Sequence, residues 1–296
     1  MQKHCNESMQ VDGKTRVCGL IGNPVAHTLS PIIHNTLAER LKINMIYVPL
    51  LVESDCVETA VSGAYALNVL GMNATVPHKS AVINSLKEID ELADKIGAVN
   101  TLVRVENGYK GYNTDMTGLY HALQSEGIAI ENEEIILLGA GGAARAVAFM
   151  CAYYGAKRVY IMNRTFEKAE QVANEVNHTL HTDCMVPMKL EDYHKLPEKK
   201  YFAIQGTSVG LHPNVNEAVI YEKAFYEKIH TGYDLIYKPG KTQFMKYVEE
   251  AGGKAYNGLK MLLYQGIDAF ELWNQCKVTE ETAEEVYQRL QKETKI

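Results

Sequence analysis

A glycine-rich segment near the middle of the chain has the residue types and spacing that bind a dinucleotide. Gly139, Gly141 and Ala144 stand in GAGGAARA, after the apolar run 134–138 and at the start of an apolar segment with helical spacing. The first glycine permits a tight strand-to-helix turn, the second lets the backbone approach a pyrophosphate, and the alanine is small enough for helix–sheet packing. Unpaired N–H groups at the helix start would face the phosphates. A turn that binds nothing is the alternative, but the strand before it and the helix after it favour a nucleotide site.

The residues after the next apolar run, 159–162, bear on which dinucleotide the turn accepts. A site for NAD usually places Asp or Glu there, as an acceptor for the ribose 2′-hydroxyl. This chain has Asn163-Arg164-Thr165, with Lys168 one helical turn later. A guanidinium holds a 2′-phosphate through paired charge-assisted hydrogen bonds, whereas an acid would repel it. We therefore predict NADP, against the alternative that Arg164 is an ordinary surface residue.

Lys79 and Asp115 have the chemistry that a hydride-transfer reaction needs at its carbonyl oxygen. Negative charge builds on that oxygen as hydride arrives, so a positioned group must protonate or stabilise it. An ammonium held by a carboxylate can do either, and polar residues surround both positions in the sequence. The alternatives are a solvated surface lysine and an acid that favours the dipole of its own helix.

Two further pairs of polar residues occur where apolar residues would serve a fold better. Thr28 and Ser30 flank a predicted helix start, and Ser30 followed by Pro31 is typical of an N-cap and first helical residue. Their hydroxyls, with the first N–H groups of the helix, could hold a carboxylate. Asn73 and Thr75 are predicted to share one strand and to point to the same side of it.

The elements that must position these residues alternate along the chain. We predict strands over 16–21, 45–51, 71–77, 101–105, 109–112, 134–138, 157–162, 184–186, 201–205 and 232–236. We predict helices over 31–41, 56–70, 78–86, 113–126, 142–154, 166–177, 242–251, 260–273 and 280–292. The first part mixes strands and helices around one sheet, with Asn107-Gly108 as a hairpin turn. From residue 134 the alternation predicts a parallel sheet with right-handed crossovers.

Composition excludes several classes of protein. The chain has 296 residues, enough for two domains, and a net charge of −6, which gives no footprint for nucleic acid or anionic membranes. No apolar run approaches the length of a membrane span. Residues 1–14 are expected to form a flexible polar leader without the apolar core of a secretory signal. The six cysteines show no CxxC spacing, which favours reduced thiols in a cytoplasmic protein over disulfides or a metal site.

Nine segments of the sequence occur in the order found in the shikimate dehydrogenases. They are GNPVAHTLSPIIHN (22–35), NATVPHK (73–79), AVNT (98–101), GYNTDMTG (111–118), GAGGAARA (139–146), NRTFEKA (163–169), QGTSVG (205–210), DLIYKPGKT (234–242) and MLLYQG (261–266). The chain therefore resembles this family over nearly its whole length beyond the leader. The resemblance implies an enzyme that reduces 3-dehydroshikimate to shikimate with NADPH, reversibly, on the chorismate route to aromatic amino acids.

The resemblance also implies roles for individual residues. Lys79 and Asp115 would be the catalytic pair, while Thr28 and Ser30 would hold the substrate carboxylate with Tyr237 beside it. The residues that would bind ring hydroxyls are Asn73, Thr75, Asn100 and Gln265. The residues that would bind the cofactor are Gly139, Ala140, Gly141, Gly142, Ala143, Asn163, Arg164, Thr165, Lys168, Thr207 and Gly258. No metal is implied.

The same resemblance implies the domain organisation. The fold class is α/β, with a mixed-sheet substrate domain and a Rossmann-type parallel-sheet NADP domain. The substrate domain would comprise 1–115 and 258–296, because the family's C-terminal helices return to it, and the NADP domain would comprise 116–257. We expect a cytoplasmic monomer or homodimer whose partner is a small-molecule substrate.

Two departures from the family pattern leave alternatives open. Thr28 stands where the family usually has Ser, and its added methyl leaves quinate open as a substrate. Gln205 stands where Asn is usual, in the loop expected to face the cofactor. The first alternative is a quinate/shikimate dehydrogenase that also uses NAD. A second is a cofactor-sensing protein without turnover, which the presence of Lys79 and Asp115 disfavours, and a third is a Rossmann-type methyltransferase, which Arg164 disfavours.

Overall fold

The computed structural model describes residues 11–295, and the chain divides into two compact units. The first unit comprises 1–114 with 265–290, and the second comprises 115–264 with 291–296. These units assign 115, 258–264 and 291–296 to the second unit, whereas the predicted domain boundaries place them in the first. Of the predicted leader, 1–10 lies outside the described residues. Within the remainder, Asp12 accepts hydrogen bonds from the Lys14 N–H and from Asn44 Nδ2.

The secondary structure follows the predicted order and adds several short elements. The strands are β1 (Arg16–Gly22), β2 (Met45–Leu51), β3 (Gly71–Ala74), β4 (Glu88–Ile89), β5 (Thr101–Val105), β6 (Gly108–Tyr112), β7 (Glu134–Leu138), β8 (Arg158–Asn163), β9 (Met185–Lys189), β10 (Tyr201–Gln205), β11 (Ile229–Asp234) and β12 (Lys254–Tyr256). The helices are α1 (Ser30–Arg40), α2 (Val57–Ala66), α3 (Glu91–Ile96), α4 (Thr114–Ser125), α5 (Gly142–Tyr153), α6 (Phe166–Leu180), α7 (Lys223–Tyr226), α8 (Gln243–Glu250), α9 (Leu259–Asn274) and α10 (Glu280–Thr294).

The first unit is built on a mixed six-stranded sheet in the order β2-β1-β3-β5-β6-β4. β1 is parallel to β2 and β3, whereas β5 is antiparallel to β3 and β6. The hairpin between β5 and β6 is confirmed, and its turn residues Asn107 and Gly108 take positive φ of 63° and 156°. Apolar residues of the sheet, Met72 and Leu102 among them, form a core with Val61 of α2.

This strand order gathers the predicted polar residues at one edge of the first sheet. The carboxyl ends of the parallel strands β1, β3 and β6 lie there, together with the amino end of the antiparallel strand β5. Consequently the segments after Gly22, after Ala74 and after Tyr112 begin at the edge where Asn100 precedes β5. The topology therefore positions residues from four separate segments of the sequence.

The second unit is a fully parallel six-stranded sheet in the order β12-β11-β10-β7-β8-β9. The predicted parallel sheet and the α/β fold class are confirmed. The run Ile135–Leu138 is fully buried, as its unbroken apolar composition predicts. Ile136 and Leu138 share a core with Tyr160 and Met162 of β8. The strand order reverses between β7 and β10, which is where a doubly wound sheet opens a crevice for ligands.

Some predicted elements were wrong. The strand predicted over 71–77 ends at Ala74, and the helix predicted over 78–86 is a turn followed by a short 3₁₀ helix, Ala81–Ser85. Pro77 lacks the N–H that a continuing strand would donate, and Ser and Asn side chains in the next segment compete with helical hydrogen bonds. The strand predicted over 232–236 spans Ile229–Asp234 instead. Elements as short as β4, β12 and α7 carry too few residues to show a period.

The described cysteines, Cys18, Cys56, Cys151, Cys184 and Cys276, are all free thiols. Among residues 11–295, no helix is long and apolar enough to cross a membrane. Those residues also contain no cluster of three or more His, Cys, Asp or Glu side chains placed to hold a metal ion.

Candidate active site

The glycine turn connects β7 to α5 at the carboxyl edge of the second sheet. Gly139 has a φ of 112°, which disfavours any residue with a side chain, and a Cβ there would lie 2.8 Å from Thr207 Cγ2. Its N–H donates to the Met162 carbonyl across 2.9 Å. Gly141 differs, because its φ of −85° is ordinary and a Cβ there would meet nothing within 4 Å. The fold therefore requires the first glycine, and the second faces open space.

The start of α5 presents backbone donors to that open space. Gly141 occupies the N-cap position, and no side chain of the described residues caps the helix. The first N–H groups of an α-helix have no intrahelical partner, and they carry the positive end of the helix dipole. Ala144 is fully buried, and a Cβ on Gly206 would lie 3.1 Å from its Cβ. A small residue at 144 thus lets the helix approach the loop after β10.

A cavity of about 640 Å³ lies over this turn within the second unit. Its lining residues are Gly139, Ala140, Gly141, Gly142, Ala143, Asn163, Gly206, Thr207, Ser208, Leu211, Leu235, Ile236, Tyr237 and Lys238. They include seven of the predicted cofactor residues, and Tyr237 from the predicted substrate set. The remaining predicted residues after β8, namely Arg164, Thr165 and Lys168, are exposed and do not line the cavity. Asn163 Nδ2 donates to the Thr165 carbonyl across 2.8 Å, which orders the start of this segment.

Gly258 packs against the backbone of Leu235 and Ile236, two residues that line the cavity. A Cβ at this position would lie 2.1 Å from the Leu235 carbonyl oxygen, and the Gly258 N–H donates to the Ile236 carbonyl across 3.1 Å. Any side chain here would push the 235–238 segment out of place. The structure thus gives Gly258 a role in the shape of the cavity wall, and its direct contact with a cofactor stays a prediction.

Gln205, the departure from the family pattern, is directed into its own loop. Its side chain is fully buried, its Oε1 accepts from the Thr207 N–H at 2.6 Å, and its Nε2 donates to the Val209 carbonyl at 3.0 Å. Thr207 Oγ1 in turn accepts from the Val209 N–H. The amide therefore holds the conformation of the loop beside the glycine turn rather than projecting into the cavity.

The buried carboxyl group of Asp234 holds the segment 235–238, which lines the cavity. Asp234, at the end of β11, is fully buried and accepts hydrogen bonds from the Ile236 N–H at 2.9 Å and the Thr242 hydroxyl at 2.6 Å. Burial raises the pKa of Asp234 from 3.8 to about 7, against the two hydrogen bonds, which lower it. The segment that carries Tyr237 and Lys238 is thus closed at both ends by one side chain.

We expect this carboxyl group to make the free energy of unfolding fall as the pH rises, which is unusual for a carboxyl group. Because its pKa is higher in the folded than in the unfolded chain, the folded chain binds more protons between pH 4 and pH 7. Its contribution to stability is therefore full below about pH 4 and is lost as the pH rises through about 7, with a slope of up to about 1.4 kcal/mol per pH unit. Urea unfolding midpoints measured from pH 5 to pH 8 should fall more steeply for the wild type than for Asp234→Asn. Parallel profiles for the two proteins would contradict the assignment.

Thr28 and Ser30 lie together in the first unit, although the capping prediction was wrong. α1 begins at Ser30, so the N-cap is Leu29, whose own side chain makes no capping hydrogen bond. Thr28 Oγ1 accepts from the Ser30 N–H and donates to Ser30 Oγ, both across 3.2 Å. Pro31 occupies the first turn and has no N–H to lose there. The two hydroxyls are therefore adjacent at the start of a helix, as a carboxylate site requires.

Asn73 is hydrogen-bonded to Asn100, whereas Thr75 lies in the turn that follows β3. Asn73 Nδ2 donates to the Asn100 carbonyl at 3.1 Å and to Thr101 Oγ1 at 3.0 Å. Thr75 follows the end of β3, and its methyl group covers Gly22, where a Cβ would lie only 2.3 Å away. The prediction that Asn73 and Thr75 share a strand was therefore wrong.

Lys79 follows the turn that ends this segment. Its carbonyl accepts from the Val99 N–H at 2.8 Å, and its side chain is half-buried. The preceding residue, His78, is buried and donates from Nε2 to the Val52 carbonyl at 2.8 Å, which anchors the turn. Asp115 lies in the first turn of α4, in the second unit. The pairing of Lys79 with Asp115 stays a prediction.

Gln265 belongs to α9, in the segment assigned to the first unit. The next residue, Gly266, lets this helix lie close to α1, because a Cβ there would be 3.0 Å from Ile33 Cγ2. The sequence analysis missed three polar residues of the same unit: Tyr47, Thr101 and Thr114. Thr101 and Thr114 stand within the quoted segments AVNT and GYNTDMTG, which is a signal, whereas Tyr47 lies in a segment with none.

Together these features define a class of protein. A doubly wound parallel sheet presents an uncapped, glycine-lined helix start to an open cavity, and a second α/β unit gathers hydroxyl, amide and ammonium groups at one sheet edge. This is the construction of a two-unit, dinucleotide-dependent enzyme.

Comparison with known proteins shows that the chain belongs to the shikimate dehydrogenase family. The shikimate dehydrogenase substrate binding domain matches residues 20–102, and the shikimate/quinate 5-dehydrogenase domain matches 122–208. Shikimate dehydrogenase (NADP(+)) of Desulforamulus reducens is 41% identical over 91% of this chain and 92% of its own. Shikimate 5-dehydrogenase of Listeria monocytogenes, in complex with shikimate and NAD, is 30% identical with a TM-score of 0.88, covering 96% of this chain and 99% of its own. The Thermus thermophilus enzyme, in complex with NADP(H) and shikimate, is also 30% identical, with a TM-score of 0.81 over 93% and 99%.

Proposed function

We propose that the chain catalyses the reversible, NADPH-dependent reduction of 3-dehydroshikimate to shikimate, a step of chorismate and aromatic amino acid biosynthesis. The observation that supports the proposal is the uncapped start of α5 in an open cavity, in a chain of this family whose next strand, β8, is followed directly by Arg164. The names of the relatives agree with the oxidoreductase and the NADP cofactor predicted from the sequence.

The cofactor fits the groups that the second unit offers. Phosphate oxygens find unpaired backbone N–H groups at Gly142 and Ala143 and no acidic side chain among the residues that line the cavity. Arg164 and Lys168 are exposed beside that end of β8, where they are available to a 2′-phosphate. Thr207 offers its hydroxyl from the opposite loop. When bound, NADPH supplies the hydride.

Substrate recognition is assigned to Thr28, Ser30 and the polar residues near them in the first unit, with Tyr237 as a further predicted contact. The adjacent hydroxyls of Thr28 and Ser30 donate to the substrate carboxylate, and Tyr237 lies beside it. Thr75, Asn100 and Gln265 bind the ring hydroxyls. These hydrogen bonds fix the ring so that one carbonyl oxygen lies next to Lys79.

Lys79 acts on that oxygen. Its ammonium group donates a hydrogen bond to the carbonyl oxygen, which stabilises the negative charge that develops as hydride arrives, and transfers a proton to it. In the reverse direction the amine accepts the hydroxyl proton. We assign Asp115 to orient this group by supplying the opposite charge.

A second candidate, a quinate/shikimate dehydrogenase that uses NAD as well as NADP, is favoured by two observations. Thr28 presents a hydroxyl and a methyl group at the carboxylate site, where quinate differs from shikimate by an added hydroxyl. One related structure contains NAD with shikimate. The deciding experiment follows absorbance at about 340 nm with shikimate and with quinate, each with NADP and with NAD. We expect shikimate with NADP to give the highest kcat/KM, and a higher value for either alternative would replace the proposal.

Thr28→Val tests the carboxylate site. Valine keeps the volume of the side chain but removes the hydroxyl, so one hydrogen bond to a charged group is lost. We expect KM for shikimate to rise about 10-fold while KM for NADP does not change. Thr28→Ser, which keeps the hydroxyl, is the matched control and should retain a KM within about 2-fold of the wild type. Unchanged KM for both acids in Thr28→Val would leave residue 28 as a partner of the Ser30 backbone alone.

The location and assembly of the protein are also proposals. The chain is proposed to work in the cytoplasm as a monomer or homodimer. The domain assignment, with 1–115 and 258–296 binding substrate and 116–257 binding NADP, is likewise proposed from the resemblance.

A further inference from the structure

Five buried polar side chains form a continuous hydrogen-bonded network in the first unit. They are Tyr47, Asn73, Thr101, Asn100 and Thr114, and each is 4% exposed or less. They come from β2, β3, β5 and the segments that flank β5 and β6. Burying this many polar groups costs free energy unless every donor and acceptor is matched, so the network specifies one arrangement of the sheet edge.

Asn73 has no amide hydrogen left for a ligand. Its Nδ2 uses both hydrogens, on the Asn100 carbonyl and on Thr101 Oγ1, and its Oδ1 accepts from the Tyr47 hydroxyl at 2.7 Å. The opposite orientation of the amide would place two acceptors, Oδ1 and the Asn100 carbonyl, against each other. The ring of His34 stacks on Tyr47 with 4.1 Å between centroids, which fixes the phenol. Asn73 is therefore an internal member of the network.

The Thr101 hydroxyl is the centre of the network. It accepts from Asn73 Nδ2, donates to Asn100 Oδ1 at 3.1 Å, and lies 3.0 Å from Thr114 Oγ1. The sheet register explains this position, because Thr101 is paired with Asn73 of β3 and with Tyr112 of β6, two residues before Thr114. Thr101 is fully buried, so it cannot reach a ligand itself.

Asn100 has one amide hydrogen available, and its direction is fixed by its neighbours. Its Oδ1 accepts from the Thr114 N–H at 2.7 Å and from the Thr101 hydroxyl, while its Nδ2 donates to Thr114 Oγ1 at 3.0 Å. A flipped amide would oppose its NH₂ group to the Thr114 N–H. Among the described residues, no other acceptor takes the second Nδ2 hydrogen.

We propose that Thr101 is a positioning residue for shikimate binding, which acts with Asn73 through Asn100 and aims the remaining amide hydrogen of Asn100 at a ring hydroxyl. This assigns Asn73 to positioning as well, in place of the direct contact that the family resemblance implies. The same hydrogen bonds fix the backbone of Thr114, the residue that precedes Asp115 in the chain. The inference rests on the proposed function, since it concerns that same substrate.

The test compares Thr101→Val with Thr101→Ser in steady-state assays. Valine has nearly the same shape but leaves the Asn73 donor and the Asn100 acceptor unmatched, whereas serine restores the hydroxyl. We expect Thr101→Val to raise KM for shikimate about 10-fold with a smaller change in kcat, and Thr101→Ser to stay within about 2-fold of the wild type. The dissociation constant of NADP, measured by nucleotide fluorescence, should be unchanged in both.

Thr36→Val is the matched control, because Thr36 is a buried threonine of α1 whose hydroxyl has no hydrogen-bond partner within residues 11–295. It should leave KM for shikimate unchanged. An unchanged KM in Thr101→Val, or a loss in Thr36→Val equal to that in Thr101→Val, overturns the inference.

Loss of NADP binding in Thr101→Val would show that this variant does not fold. In that case Tyr47→Phe tests the positioning role. This variant removes the outermost donor of the network without changing its shape, and KM for shikimate should rise about 3-fold. No change in KM would overturn the inference. If the wild type does not oxidise shikimate with NADP at all, the proposed function fails and the inference fails with it. If the wild type is active and the variants have unchanged KM values, only the positioning role is contradicted.

Discussion

Lys79→Ala is expected to lower kcat for shikimate oxidation by at least about 100-fold, which is the lower range for the loss of a general acid or base. KM for shikimate should change less, because the carboxylate and ring hydroxyls are bound by other residues. The effect arises at the oxygen that gains negative charge during reduction, where alanine offers neither a proton nor a positive charge. Single-turnover and steady-state measurements at saturating NADP separate the loss of chemistry from the loss of binding.

Three further variants test the role of Lys79. Lys87→Ala removes an exposed lysine of the same unit and should leave kcat unchanged. Asp115→Asn should also lower kcat, because it removes the charge partner that we assign to the ammonium group. The double variant Lys79→Ala/Asp115→Asn should be little worse than Lys79→Ala alone, since residues that act as a unit are not additive. Turnover near the wild-type rate in Lys79→Ala would remove this residue from the mechanism.

Arg164→Ala is expected to weaken NADP by about 10- to 150-fold, and NAD far less. The lost interaction is a charge-assisted hydrogen bond to the 2′-phosphate, worth about 1.5–3 kcal/mol, and NAD has no group there to lose. The side chain is exposed at the end of β8, so its removal should not disturb the core. Dissociation constants of both cofactors, measured by titration of nucleotide fluorescence, give the comparison directly.

Arg158→Ala is the matched control, because Arg158 is an exposed arginine at the opposite end of the same strand. It should leave the affinity for both cofactors unchanged. Because the interaction is electrostatic, the preference for NADP in the wild type should also shrink as salt is added. Equal losses of NADP and NAD in Arg164→Ala would show that the guanidinium does not recognise the 2′-phosphate.

The second unit could be predicted almost completely from the sequence, because its signals are local. An unbroken apolar run such as 134–138, followed by a glycine turn and an apolar helix, specifies a buried parallel strand and the helix start beside it. The family resemblance, the fold class and the parallel sheet are confirmed. The role of Gln205 could not be predicted in the same way, since it depends on where Thr207 and Val209 turn back toward it.

In the first unit, several contacts depend on segments that are distant in the sequence, and local patterns do not predict them. The sequence predicts Asn73 as a ligand-binding residue but does not show its internal contacts, which arise because the register of β3 against β5 places its amide between Thr101 and the Asn100 carbonyl. That register depends on a hairpin more than thirty residues later. Ser30 satisfies the sequence preferences for an N-cap, yet the helix begins one residue earlier because Thr28 already accepts from the Ser30 N–H.

The glycines in and near the nucleotide turn differ in what restricts their substitution during evolution. Gly139 and Gly258 are required by the protein's own backbone, one by its positive φ and one by the carbonyl 2.1 Å from its missing Cβ. Gly141 and Gly142 have open space around them, so only a bound nucleotide restricts which side chain can stand there. In a descendant that keeps the fold but abandons the cofactor, selection would relax first at 141 and 142. Substitutions confined to those two positions would therefore mark the loss of nucleotide binding, whereas changes at 139 or 258 would mark a change of the scaffold itself.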